Sequence, residues 1–308
     1  MIREHRWIAK ALAQKSVAKL GMLPLYHRAQ QVGGRLRNFH PRTRIEYAGK
    51  LAADVGRERL RGATVVEIGT GWVPVVPIGI YLLGAREVAS FDLSRHLLPD
   101  LALRTAKLMP ECFEELARRS GVSLDELRSR YSSIAACSNW DALAQHIGFS
   151  YRAPADVTHA ASADCSVDIV YSNLVLEHVT AQALAAILSH SMRILKPGGV
   201  CWHNIDYTDH YSHTHAGLSA INFLRYGDRF WGAIGQNEIL YLNRLRRSEY
   251  LAAFARAGFE VESIRDHYLG ETALLPPNLL NARFKGCSSE DLRCGASRVV
   301  LRKPLMSN

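Results

Sequence analysis

Two kinds of hydrophobic pattern alternate along this chain. Thr64–Ile68 is a short, β-branched apolar run and reads as a buried parallel strand. A second apolar run, VASFD, ends at Asp92. Residues 5–20 show a longer period, with Trp7, Ile8, Leu12, Val17 and Leu20 apolar and Lys10, Lys15 and Lys19 between them. That spacing predicts an amphipathic helix. Gly33, Gly34 and Pro41 interrupt the pattern, and a second helix is expected over about 44–60. Residues 103–121 and 123–136 also look helical, and Ser123 with Glu126 forms a plausible capping box.

The turn after the first strand carries the chemistry. Gly69 and Gly71 stand where a strand gives way to a helix, in VEIGTG. Glycine there permits a tight turn and close approach to a ligand. Asp92 lies about twenty residues on, placed for two ribose hydroxyls. A dinucleotide site would want a third glycine, but position 74 is Pro74. Glu67, two residues before Gly69, is a poor neighbour for a pyrophosphate and suits an ammonium and a sulfonium. The cofactor expected is therefore S-adenosylmethionine rather than NAD.

At these residues the chain resembles the class I S-adenosylmethionine-dependent methyltransferases. SVDIVYSN at 166–173 resembles that family's fourth strand, and LVLEHV follows it as the start of a helix. LKPGGV at 195–200, AGFEVESI at 257–264 and SRVVLRK near the end resemble its later strands, in the family's order. The resemblance spans roughly Gly62 to Lys303. It implies an α/β fold with a doubly wound, seven-stranded, mostly parallel sheet. It further implies that Glu67, Gly69, Thr70 and Gly71 surround the cofactor's amino-acid end, with Asp92 and Leu93 at the ribose. Asp156 and Val157 would lie near the adenine, and the Asn173 backbone beside the methionine moiety. The organisation expected is a basic helical segment over 1–61 and a methyltransferase domain over 62–308. Insertions are expected near 96–147 and 203–245, both standing over the pocket, because ligands bind beyond the carboxyl ends of parallel strands.

Methyl transfer to an alcohol gains from a base near the operating pH, for which histidine is suited. His178, just after the fourth strand, and His203, expected at the end of the fifth, are the candidates. His203, Asp206, Asp209, His210 and His213 are also the right elements for a divalent ion, but their spacing matches no metal motif, and no metal is expected. The stretch 203–245 is rich in aromatic and histidine side chains, including Tyr207, Tyr211, Phe223 and Trp231. Such a lining suits a sugar, a phenol or another hydroxylated ring. With a loose likeness to bacterial glycan and secondary-metabolite methyltransferases, this favours O-methylation of a small molecule or glycan. A membrane-associated lipid or quinone methyltransferase is the alternative, and a non-catalytic S-adenosylmethionine-binding partner protein is a third reading.

Charge and cysteine content bound the rest. The chain of 308 residues has a formal charge of +9, and that excess is local. Through Arg61 there are 14 Lys and Arg against 4 Asp and Glu; the remainder holds 24 against 25. The first helix therefore either covers the domain or meets an anionic membrane surface. RLRNFHPRTR at 35–44 interleaves arginine with aromatic groups, yet no RNA-binding module is recognisable, so nucleic acid is the weaker partner. Six scattered cysteines form no C-x-x-C pair, which suits a reducing cytoplasm. Cys165 and Cys201 are expected to be core packing. The start is too charged for a cleaved secretory signal, and no apolar run reaches membrane-spanning length.

Overall fold

Seven strands form one sheet in the order β3-β2-β1-β4-β5-β7-β6 in this computed structural model, which describes residues 6–33, 36, 38–215 and 217–305. The strands are β1 (Thr64–Ile68), β2 (Glu87–Phe91), β3 (Phe149–Arg152), β4 (Val167–Asn173), β5 (Leu195–Asp206), β6 (Glu260–Tyr268) and β7 (Cys294–Arg302). β1 to β5 pair in parallel, while β7 runs antiparallel to both neighbours. The doubly wound, seven-stranded, mostly parallel expectation is met. The chain reverses its direction of winding between β1 and β4, where a crevice opens at the carboxyl ends.

Both faces of the sheet are covered, which is why its central strands read as unbroken β-branched runs. On one face, Val65, Tyr171 and Trp202 pack under the helices Ile45–Val55 and Val75–Leu82. On the other, Val66, Cys201 and Ile205 pack under the helices Ala181–Ile194 and Arg247–Arg256. Side chains alternate strictly along β5, so His203 shares the second face with Cys201 and Ile205.

The insertion after β2 does not stand over the pocket. Pro110 breaks its first helix into Pro99–Lys107 and Phe113–Ser120, joined by a 3-10 turn. The helix Leu124–Ala135 follows, with the Ser123 hydroxyl capping the Glu126 amide at 3.2 Å. The Glu126 carboxylate pairs with Arg57 rather than completing a capping box. Leu101, Leu116, Leu127 and Ile134 are buried in the first core, and this burial draws the helices to the side of the sheet.

The stretch after β5 also departs from expectation. Tyr211, Phe223 and Trp231 are fully buried, and form a third core with Trp7 and Ala11 of the first helix, Arg6–Lys19. Lys15 donates to the Ala233 carbonyl at 2.6 Å, and Lys10 to the Thr214 hydroxyl at 2.8 Å. The first helix thus covers a core, but one built by the post-β5 stretch rather than by the sheet. The helix expected over 44–60 is split at Gly56 into Ile45–Val55 and Arg57–Leu60, and another helix, Leu23–Gly33, precedes it. Arg35 and Arg37 of the basic–aromatic segment lie outside the described residues. Cys201 is buried as expected, whereas Cys165 is exposed in a turn. No helix among the described residues is long and apolar enough to cross a membrane.

Candidate active site

The β1 turn is shaped by two glycines at φ +82° and +69°. The Gly69 amide donates to the Phe91 carbonyl at 2.9 Å, tying the turn to β2. A Cβ on Gly69 would come 2.6 Å from the Val175 Cγ2, so this approach is reserved for glycine. The Gly71 amide donates to Asp92 Oδ2 at 3.0 Å. Tyr151, on β3, donates its hydroxyl to the same oxygen at 3.0 Å. Both bonds fall on Oδ2, which leaves Oδ1 for a ligand hydroxyl. Burial raises the Asp92 carboxyl above its usual range, and these two bonds only partly offset it.

A cavity of about 270 Å³ opens beside Asp92, near the lower end of small-molecule sites. Gly69, Asp92, Leu93, Asp156, Val157 and His178 of the expected residues line it. Ile68, Val175, Val179 and Ile187 supply an apolar wall, with Ala183 and Ala186 from the helix Ala181–Ile194. Asp156 also caps the turn Val157–His159, accepting from the Thr158 amide at 2.9 Å. Burial alone would raise its carboxyl, but the bonds from Thr158 outweigh it and the net direction is down. A charged ribose acceptor, an apolar slot and a turn no Cβ could enter together fit an adenosine group. Larger hollows of 600, 540 and 950 Å³ lie elsewhere, and none contains the glycine turn.

Five expected site residues do not line the cavity; one of them, Gly71, gives its amide to Asp92 instead. Glu67 lies under the turn and does not line the cavity; Tyr171 donates to it at 2.6 Å, and the Thr70 hydroxyl bonds its other oxygen. Burial pushes its carboxyl up to about 7, against the pull of those bonds. Thr70 is buried too, bridging Glu67 and Ser90. Both residues brace the turn from below. Asn173 is engaged with Asn204 Nδ2 at 2.9 Å, away from the cavity. His203 is a core residue. β5 continues three residues past it, to Asp206, and its ring stacks on Phe254 at 6.3 Å. Burial drives its pKa down to about 3, so it stays neutral and inaccessible.

Of the two expected histidines, His178 reaches the cavity, which His96 also lines. Its Nδ1 lies 2.8 Å from the Tyr241 carbonyl, which fixes the ring and leaves the lone pair on Nε2. Burial lowers its pKa despite that bond. Its ring meets His210 edge-on at 4.9 Å. Across the cavity, His96 packs on Trp72 at 4.9 Å and on His27 of the helix Leu23–Gly33 at 5.2 Å. Sequence reasoning missed Tyr151, Val175 and this His27–Trp72–His96 cluster. Tyr151 alone left a trace, as a polar group on a strand bordering Asp92.

A family model described as a methyltransferase domain matches residues 115–203. No curated protein matches the chain. Similar solved structures include an S-adenosylmethionine-dependent methyltransferase from Mesorhizobium loti, with 16% identity, 81% of this chain and 99% of that one covered, and a TM-score of 0.40. A second comes from Methanosarcina mazei, with 13% identity, 80% and 94% covered, and a TM-score of 0.43. A third is the geranyl diphosphate C-methyltransferase of Streptomyces coelicolor A3(2), with 15% identity, 82% and 80% covered, and a TM-score of 0.43. The matched residues hold β3, β4 and most of β5, while the β1 turn and Asp92 lie before them in the chain. Residues 115–203 match a methyltransferase domain, and with the glycine turn and Asp92 this supports an S-adenosylmethionine-dependent methyltransferase whose cofactor is S-adenosylmethionine.

Proposed function

We propose that this enzyme methylates a hydroxyl oxygen of a small hydroxylated acceptor, a sugar or glycan unit being the leading candidate. One observation carries the reading: a neutral, oriented histidine, His178, lines the cofactor cavity. Methyl transfer to nitrogen or sulfur has less need of such a base, whereas an alcohol must lose a proton as it reacts.

The cofactor supplies an electrophilic methyl on a sulfonium. Asp92 Oδ1 takes a ribose hydroxyl, and Asp156 with Val157 borders the adenine. Ile68, Val175 and Ile187 exclude water from the slot. His178 Nε2 accepts the hydroxyl proton as the acceptor oxygen bonds to the methyl carbon, the electron pair of the breaking C–S bond staying on sulfur. The depressed pKa keeps Nε2 free to accept at neutral pH. The test is labelled S-adenosylmethionine with fractionated extract, comparing the wild type with His178→Ala. A positioned base contributes about 10²–10⁴-fold, so turnover should fall by that order while S-adenosylhomocysteine affinity holds. Unchanged turnover, or label found on nitrogen, would defeat the reading.

The lipid or quinone alternative has its own support. Leu12 on the first helix, Leu20 and Met22 in the link after it, and Leu25 on the helix Leu23–Gly33 are exposed, near Lys15 and Lys19. Flotation with anionic vesicles, lost on Leu20→Ser with Leu25→Ser, would favour it.

A further inference from the structure

The carboxylate of Glu177 is buried, with only 3% of the residue exposed, and neither of its oxygens has a hydrogen-bond partner. A bare carboxylate in such a place is costly, and burial raises its pKa well above the ordinary range, toward the neutral acid. His210 Nε2 is likewise buried and makes no hydrogen bond. These two groups face each other: one ligand atom each from Glu177, His178 and His210 lies within 4.8 Å of the others. A second set, Asp206, His210 and His213, meets the same limit and shares His210.

The second set is already oriented. Asp206 Oδ1 accepts from the Thr208 hydroxyl at 2.6 Å and the Thr208 amide at 2.7 Å. Oδ2 is thereby turned toward His210 Nε2 at 3.4 Å and His213 Nε2 at 3.9 Å. Two ligands at about 2.1 Å from a tetrahedral ion stand about 3.4 Å apart. Those separations suit neighbours around an ion, which would draw His213 Nε2 away from the Thr208 hydroxyl that it meets at 2.9 Å. The bond from His178 Nδ1 to the Tyr241 carbonyl is of the kind that steadies histidines beside a metal.

We propose that Asp206, His210 and His213 hold one divalent transition-metal ion, beside the buried Glu177 and at the edge of the cofactor cavity where His178 stands. Imidazole with carboxylate selects Zn²⁺, Mn²⁺ or Fe²⁺ over Ca²⁺ and Mg²⁺, which prefer all-oxygen shells. The set differs from the one that spacing along the chain suggests. His203 and Asp209 take no part: His203 is in the core, and Asp209 is bonded to Asn222 and the Tyr211 amide. Glu177, in the turn Leu176–His178 just past β4, meets His210 from the other side, in a separate set with His178. The site stands whatever the acceptor proves to be.

Strip the full chain with chelator, dialyse it, and titrate it with ZnCl₂, MnCl₂ and MgCl₂ by calorimetry, following the melting temperature in parallel. One equivalent of Zn²⁺ or Mn²⁺ should bind and raise the melting temperature. Asp206→Asn and His213→Ala should each weaken binding at least tenfold. S-adenosylhomocysteine binding, measured on every sample, separates a lost ion site from a lost fold. It also separates failure of this site from failure of the methyltransferase reading, which the same titration tests. His213 is half exposed, so its variant should fold even if Asp206→Asn does not. No ion bound by wild-type protein that still binds S-adenosylhomocysteine would overturn the proposal. So would Mg²⁺ preferred to Zn²⁺ and Mn²⁺, or wild-type affinity in a folded His213→Ala.

Discussion

Tyr151 donates its hydroxyl to Asp92 Oδ2 at 3.0 Å, and so decides which oxygen of the aspartate is left for the cofactor. The tyrosine is held as a donor, because burial and the neighbouring carboxylate push its pKa up to about 12. Asp92→Ala should therefore weaken S-adenosylhomocysteine binding by about ten- to a hundredfold, the loss of a charge-assisted bond worth roughly 1.5–3 kcal/mol. Tyr151→Phe should cost less, since Gly71 still holds Oδ2. Calorimetry on the two variants orders them, and an equal loss in both would mean that the tyrosine itself touches the ligand.

Gly69→Ala tests the turn directly. The added methyl meets Val175 at 2.6 Å from a backbone at φ +82°, a conformation costly for any side chain. The protein should keep its fold by far-ultraviolet circular dichroism, melt several degrees lower, and bind S-adenosylhomocysteine at least tenfold more weakly. Gly69→Ala with Val175→Ala removes the clash but not the strain, and should recover part of the affinity.

These residues also show what the sequence could and could not disclose. Gly69, Gly71 and Asp92 meet as their spacing predicts because a glycine turn and a strand end are fixed by neighbours in the chain. His203 misled because alternation tells which residues share a face, not where the strand stops. β5 runs three residues further, and that difference turns a rim residue into a core one. Glu67 misled for a related reason, since its partners Tyr171 and Ser90 come from the flanking strands β4 and β2. The aromatic run after β5 reads like a ligand lining until Trp7, some two hundred residues earlier, is seen packed against Tyr211 at 5.2 Å. Contacts of that span leave no trace in local periodicity.

Trp7 gives the next test. It is fully buried among Tyr211, Tyr226 and Trp231. Removing a buried tryptophan typically costs about 3–5 kcal/mol, so Trp7→Ala should melt markedly earlier. Deleting residues 1–20 should do at least as much and should favour aggregation. A truncated chain that stays soluble with an unchanged melting temperature would show that the third core does not need the first helix.

His203 closes the argument through pH. Its folded pKa is about 3, pressed down by burial alone, against an ordinary value near 6.5. Between those values the unfolded chain takes up a proton that the folded one refuses. Stability from this group is thus fully present above about pH 6.5 and is lost as pH falls toward 3. One such proton tilts the stability curve by at most about 1.4 kcal/mol per pH unit. Other groups titrate in the same range, so the measurement is a difference. Urea unfolding of wild type and His203→Gln at pH 6.5, 5.5 and 4.5 isolates the histidine, because the glutamine amide can still meet the Ser172 hydroxyl that now lies 2.8 Å from His203 Nδ1. The variant should be the less stable protein at pH 6.5 and should lose stability more slowly on acidification. Parallel curves would mean that His203 is protonated in the folded protein, and hence open to solvent after all.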